Sequence, residues 1–400
     1  MVQSPKNHLD TRLMQLGLAP FDPDTQSAPV SVPAVRTSTV RFKNLEALSQ
    51  AARRWRDGER AATYGRAGLE THAALEQVVA ELESATHSFL LPSGLAGITL
   101  TLLALLKTGD HVVVTDSVYG PVRTLDQQLL AGLGITVSYC AGTIDAIRQA
   151  VRPETRLLYI ESPGSLLLEM LDIPALASFA RDHKLYLATD NTWGSGYLYQ
   201  PLTLGVDVSI IAATKYIGGH SDLMLGTVAT NNKDLALRLR ATHYAMGYSV
   251  SADDAWLALR GVRSMPLRLR EHARSALQVC EWLAEQTETK QIFHPAYPQD
   301  SGHTLWQRDC QGSNGMLAVA LDITPEQARC LVDALALFGI GFSWGGFESL
   351  VQLVEPNALS SHSYWKAKPW QVLRFHVGLE HINDLLADLA QAFEKARTIS

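Results

Sequence analysis

Residues 185–216 read LYLATDNTWGSGYLYQPLTLGVDVSIIAATKY. Two short apolar runs stand here, Leu185–Asp190 and Val206–Thr214, each followed at once by polar residues: Asp190-Asn191-Thr192 after the first and Lys215-Tyr216 after the second. Runs of the same kind occur upstream at His111–Asp116 (HVVVTD) and Leu157–Ser162 (LLYIES), and downstream at Gly226–Thr230 (GTVAT). Helical stretches are predicted between and before them at 95–107, 121–133, 143–151 and 174–183. Continuous apolar strands separated by helices predict a parallel sheet covered on both faces, an α/β core.

On the N-terminal side, Pro20, Pro23, Pro29 and Pro33 crowd a short segment, a density few helices or strands tolerate. Residues 1–62 therefore read as an extended arm that needs another surface to pack on, with a helix-like stretch at Leu45–Arg56. Residues 63–254 read as the α/β domain. From 255 to 400 the text changes to a long helical stretch (253–288), sparser strands at 316–322, 350–354 and 371–377, and helices at 325–338 and 382–397. This predicts a second, smaller α+β domain.

The chain has 400 residues, 46% apolar and 18% charged, with 34 basic and 40 acidic residues and a net charge of −6. That is the make-up of a folded globular protein. It lacks the basic surplus of a nucleic-acid binder, and no apolar run approaches the roughly 20 residues that cross a bilayer. Four scattered cysteines (Cys140, Cys280, Cys310, Cys330) form no C-x-x-C pair. The first eight residues lack the apolar stretch of a secretory signal. These features set the expectation of a reducing cytoplasm and free thiols.

Ligands of open α/β sheets bind beyond the carboxyl ends of the strands. Those ends carry Tyr119, then Glu161-Ser162-Pro163-Gly164-Ser165, then Asp190, then Thr214-Lys215. Upstream, Ser93-Gly94-Leu95 opens an apolar helix, a turn whose free N–H groups suit a phosphate. No G-x-x-x-x-G-K-[ST], G-x-S-x-G or H-E-x-x-H is present, and Gly339-Ile340-Gly341 completes no dinucleotide fingerprint. One chemistry needs the observed set. Pyridoxal 5'-phosphate requires a lysine for a Schiff base, an acid at its pyridine nitrogen, an aromatic over its ring and a phosphate cradle. Lys215, Asp190, Tyr119, and the Ser93–Leu95 turn with Thr214 would supply these in turn. Asp190 read by itself is also good turn chemistry, and Lys215 read by itself a solvated lysine.

Further segments fall in an order that resembles the cysteine/methionine-metabolism family of fold-type-I pyridoxal-phosphate enzymes. They are Tyr64-Gly-Arg66-Ala-Gly-Leu-Glu-Thr-His72, Asp116-Ser-Val-Tyr119-Gly-Pro, Glu161–Ser165, Asp190-Asn-Thr-Trp193, Ala212-Ala-Thr-Lys215-Tyr216 and Gly219-His220-Ser221-Asp222. Near the C-terminus follow Ser343–Ser349 and Leu373–Glu380. The likeness covers most of the chain. It implies a mostly parallel, mixed sheet covered by helices. It implies Lys215 as the cofactor's covalent partner and general base, and Tyr119 as the stacked aromatic and a second catalytic residue that assists proton transfer. Gly94, Leu95 and Thr214 would sit at the phosphate, with Tyr64 and Arg66 reaching it from a neighbouring subunit. Arg374 would clamp the substrate α-carboxylate, helped by Ser343, and Tyr64 would also line the substrate site.

The Gly164-Ser165 pair, Ala212-Ala213 and Ser343-Trp344 place the likeness nearest to the family's bacterial β-lyases. Ala212 stands where many relatives carry a phosphate-binding serine. The implied activity is a carbon–sulfur lyase that removes a Cα proton and expels a thiol from Cβ, with γ-lyases and γ-replacing synthases as alternatives on the same scaffold and a non-catalytic regulatory protein as a further one, which the retained lysine, acid and aromatic weigh against. The implied partners are a small sulfur amino acid and copies of the same chain, as a tetramer built from two dimers. His220 and Asp222 are too few for a zinc site and are expected to structure their loop.

Overall fold

The computed structural model describes residues 7–365 and 368–399. Seven strands form the larger sheet: β1 His87–Leu91, β2 His111–Thr115, β3 Thr136–Cys140, β4 Thr155–Glu161, β5 Tyr186–Asp190, β6 Val208–Ile211 and β7 Gly226–Thr230. Their order is β1-β7-β6-β5-β4-β2-β3. The five inner strands of the sequence reading are present. β7 pairs antiparallel with both β6 and β1, and the remaining pairings are parallel. The sheet is therefore mixed, not wholly parallel as the apolar runs by themselves suggested. β1 and β3 carry polar residues and were not visible as apolar runs. The predicted strand 206–214 stops at Ile211, so the loop that bears Lys215 begins earlier than expected.

From β2 the chain moves outward to β3, then returns to β4 on the other side of β2 and continues to β5 and β6. The strand order reverses between β2 and β4, which opens a crevice at their carboxyl ends. Tyr119 follows β2 and Glu161 ends β4, so both stand at that crevice.

The helix Gly94–Leu105 is apolar on nearly every face and is sandwiched. Ile98, Leu100 and Leu102 share one core with Ile210, Val228 and, from the helix Lys233–Ala245, Leu235 and Leu239. Its two threonines, Thr99 and Thr101, return their hydroxyls to the carbonyls of Leu95 and Gly97, so no polar group is left unpaired there. The predicted helix 121–133 is a single helical path in three pieces, with a widened turn at Asp126–Leu130.

The second sheet comprises β8 Thr289–Phe293, β9 Met316–Leu321, β10 Gly339–Ile340, β11 Leu350–Val354 and β12 Gln371–His376, in the order β10-β11-β12-β9-β8. The predicted helix 325–338 ends at Ala334, ahead of β10. A 33-residue helix, Ala252–Ala284, serves both sheets. Leu259, Val262, Met265 and Leu269 pack in the core that holds Tyr216 and Ile217. Val279, Cys280 and Leu283 pack with Val319, Leu373 and Phe375 of the second sheet.

Gly261 of this helix meets the loop after Lys215 backbone to backbone: a Cβ there would lie 2.3 Å from the carbonyl oxygens of both Ile217 and Gly218. Gly261→Ala is expected to destabilise the fold by about 1–3 kcal/mol and to weaken cofactor retention, read by thermal melting and by cofactor titration. An unchanged melting temperature would show that the loop yields freely.

The N-terminal segment begins with a helix, Leu9–Gln15, that docks on the body of its own chain. Tyr197 donates to Asp10 at 2.7 Å, Arg12 pairs with Glu81, and Arg263 donates to the carbonyls of Leu13 and Leu16. The helix Leu45–Arg56 forms as expected, capped by Asn44, but none of its residues is buried.

Candidate active site

Lys215 lies four residues beyond β6, on a loop seated against Gly261. Its Nζ donates to Ser343 Oγ at 2.5 Å and stands 5.3 Å from the centroid of the Trp344 ring. Trp344 in turn packs on Tyr216. Burial, and then the charge of Arg374, pull the Lys215 amine down to about 8; Asp190 opposes both. A lysine held there is partly neutral near physiological pH, which a proton-abstracting amine requires.

Asp190 closes β5 and is buried. Its Oδ1 accepts from the Thr192 N–H at 2.9 Å and the Thr192 hydroxyl at 2.5 Å. That hydroxyl also accepts from the Ala212 N–H, which ties the carboxylate to the approach to Lys215. Among the described residues, Oδ2 has no hydrogen-bond donor and no cation lies within ion-pair distance. Burial raises the Asp190 carboxyl above its ordinary range. A buried carboxylate in that position is stabilised by a cation brought to it, such as a protonated ring nitrogen.

Ser93 caps the helix Gly94–Leu105 through its side chain, which accepts from Ala96, so the N–H groups of Gly94 and Leu95 head an exposed helix start. Gly94 is required for that placement, because a Cβ on it would fall 2.6 Å from Ala212 Cβ. The Thr214 hydroxyl gives its proton to Leu225 O and accepts from Leu225 N. It would have to turn to donate to a phosphate.

Tyr119 keeps 44% of its surface open, the condition of a ring that has a flat face to offer. Its N–H donates to Glu161 Oε2 at 2.6 Å. Burial, followed by the charges of Glu161 and Asp190, holds the phenol protonated. Arg374, in β12, is 9% exposed and donates to Ser165 O at 3.2 Å. Burial draws its guanidinium down to about 10, against the pull of Glu161 and Tyr119. It stays cationic at neutral pH, yet no carboxylate among the described residues lies within ion-pair distance. A buried cation without a counter-ion is a receptor for an anion.

Ser343 sits at φ +89, a region unfavourable for a residue with a Cβ. The resemblance gave it to the substrate; here its hydroxyl meets Lys215. Tyr64 and Arg66 stand apart from this group. Both line a surface cleft with His72 and Val250, and Arg66 lies 4.6 Å from the Tyr244 ring centroid. His220 structures its loop, its ring 2.7 Å from Gly218 O.

Sequence reasoning passed over Glu161, Thr192 and Trp344 as site residues. Glu161 pairs in register with Asp190 across β4 and β5, and that neighbourhood was the available signal.

A lysine with a lowered pKa, a buried carboxylate on the adjacent strand end and a helix start at a glycine turn define a fold-type-I pyridoxal-phosphate enzyme. Residues 11–394 match the family described as Cys/Met metabolism PLP-dependent enzyme, and this chain belongs to it. It is 60% identical over 396 residues to a cystathionine β-lyase of Bordetella avium, covering 99% of this chain and 100% of that one. A cystathionine β-lyase of Escherichia coli is 38% identical, covering 90% of this chain and 92% of the relative. Among solved structures, a cystathionine γ-synthase of Xanthomonas oryzae pv. oryzae superimposes with a TM-score of 0.88 at 28% identity, over 98% of this chain and all of the other.

Proposed function

We propose that this chain is a carbon–sulfur lyase that cleaves L-cystathionine by β-elimination, giving homocysteine, pyruvate and ammonia. The observation that carries the chemistry is a partly neutral lysine held by Ser343 and, near enough to depress it further, a buried arginine with no counter-ion among the described residues. The choice of substrate is supported by the 60% identity to the Bordetella avium cystathionine β-lyase.

When bound, pyridoxal phosphate supplies an aldehyde for an amine and a ring that spreads the electrons of a broken Cα–H bond. Lys215 would hold it covalently, Asp190 would keep its nitrogen protonated, Tyr119 would cover one face, and Gly94 and Leu95 would donate to the phosphate. Arg374 receives the substrate α-carboxylate on its planar fork. That fixes which Cα bond faces the Lys215 amine. Lys215, as a neutral amine, would take the Cα proton. Ser343 holds the lysine side chain in the cleft, and the Trp344 ring shields it from bulk water. The thiolate then leaves from Cβ and takes up a proton, and water hydrolyses the remaining three-carbon fragment to pyruvate and ammonia.

Product analysis with L-cystathionine tests this reading. Pyruvate with homocysteine is expected; 2-oxobutyrate with cysteine would mean γ-cleavage, and an absolute need for an acylated homoserine would mean γ-replacement. Because the base works as the neutral amine and is free only once substrate is bound, kcat should rise with pH up to about 8 and then level off. A rate that falls across that interval would remove Lys215 as the base.

The chain would work in the cytoplasm as a homo-oligomer, a tetramer of two dimers. The exposed helix Leu45–Arg56, with Leu45 81% and Phe21 69% exposed in the same arm, supports a subunit contact there. Tyr64 and Arg66 would then reach the neighbouring cleft. Among the described residues no helix is long and apolar enough to cross a membrane.

A further inference from the structure

Glu161 is the unexplained charge of the site. It ends β4 directly beside Asp190 in the register of β4 and β5. Two carboxylates so placed repel, and burial adds to the cost; burial and Asp190 together push the Glu161 carboxyl up, with the Tyr119 N–H and Arg374 opposing. A neutral residue would fit this strand end at lower cost if the position only filled space.

Its contacts give it a task. The segment Asp116–Gly120 links β2 to the helix Pro121–Leu125, and Tyr119 is near its tip. The segment's own backbone ties are Asp116 N–H to Cys140 O at 2.8 Å, a long Val118 N–H to Thr115 O at 3.4 Å, and Val122 N–H to Tyr119 O at 3.0 Å; none of them holds the Tyr119 N–H. The Tyr119 N–H is taken by Glu161 Oε2 at 2.6 Å, a short bond from another strand. A few residues on, Ser165 N–H donates to Ser117 O at 2.9 Å, and Ser165 O accepts from Arg374. The Glu161–Ser165 stretch thus grips both the tyrosine loop and the carboxylate clamp.

We propose that Glu161 is a positioning residue: its carboxylate fixes the Tyr119 backbone, and so the height and tilt of the Tyr119 ring, relative to Arg374. This rests on the reading of Tyr119 as the aromatic that covers the cofactor.

The test compares Glu161→Ala with Glu161→Gln in the full-length, cofactor-loaded protein. Gln keeps an oxygen acceptor at the same reach and loses the charge. In Glu161→Ala, hydrogen exchange at the Tyr119 amide should speed up about 10- to 100-fold. The visible absorption of bound pyridoxal phosphate should shift, and kcat should fall about 10- to 100-fold with KM changed less than about threefold. Glu161→Gln should recover most of the exchange protection and the absorption, within about fivefold of the unaltered protein.

Unchanged exchange and unchanged absorption in Glu161→Ala would overturn the proposal. So would a Glu161→Gln protein as impaired as Glu161→Ala while its Tyr119 amide stays protected, since charge and not placement would then be the role. If Glu161→Ala does not fold, exchange at the Tyr119 amide in Glu161→Gln decides alone: protection supports the proposal and exposure sinks it. Exchange and absorption need no substrate. They therefore stand or fall separately from the choice of sulfur amino acid, which product analysis tests.

Discussion

Lys215→Ala is expected to abolish turnover, with kcat at least about 10³-fold lower, because it removes both the covalent anchor and the base. The protein should still fold. Among the described residues Lys215 makes one side-chain hydrogen bond, to Ser343, while the loop around it is held by backbone contacts to the long helix. Pyridoxal phosphate should still bind through Asp190 and the Gly94–Leu95 turn, but reversibly, so dialysis should strip it. Borohydride followed by peptide mapping gives the decisive readout. In the unaltered protein the reduced cofactor should be found on residue 215, and in the variant on no lysine. A labelled lysine elsewhere, with activity retained, would refute the assignment.

Arg374→Ala comes second in size. The guanidinium is buried, makes a single hydrogen bond to a backbone carbonyl and has no carboxylate partner among the described residues. Its charge is thus available to the substrate. Losing a buried charge pair of that kind costs about 2–5 kcal/mol, which corresponds to about 30- to 4,000-fold in kcat/KM. Cofactor affinity should move less than about threefold, since nothing assigns Arg374 to the phosphate or the ring. Arg374→Lys keeps the charge without the fork and should recover only part of the loss. Equal losses in substrate use and cofactor binding would mean that the residue supports the cleft as a whole.

The legible part of the fold was its interior. β2, β4, β5 and β6 are largely covered on both faces, so their middles are apolar runs, and that is a pattern a sequence displays. β3 and β8 lie at sheet edges and are only half covered, with residues such as Thr136, Ser138, Lys290 and Gln291. An edge strand carries no such requirement. The reversed direction of β7 was hidden for another reason. Direction is set by the connection, here the loop that carries Lys215, and the strand's own residues are apolar either way.

The same division runs through the site. Lys215 and Asp190 were visible because strand ends in this fold class are where ligands bind. Glu161 was quoted only as part of a motif, because its partner is the main-chain N–H of Tyr119, and a backbone group leaves no mark in a sequence. The hydrogen bond between Ser343 and Lys215 joins residues far apart in the chain. No local pattern announces it.

The helix Ala252–Ala284 underlies both halves of the site. The loop bearing Lys215 rests on its backbone at Gly261, and its later turns are wedged against the sheet that carries Arg374; His272, between these stretches, meets Val377 O at 2.8 Å. The amine and the guanidinium are in effect the two jaws of a calliper mounted on one beam. The spacing between them is set by how the loop and the second sheet seat on that beam, so a change in the helix bears on both at once.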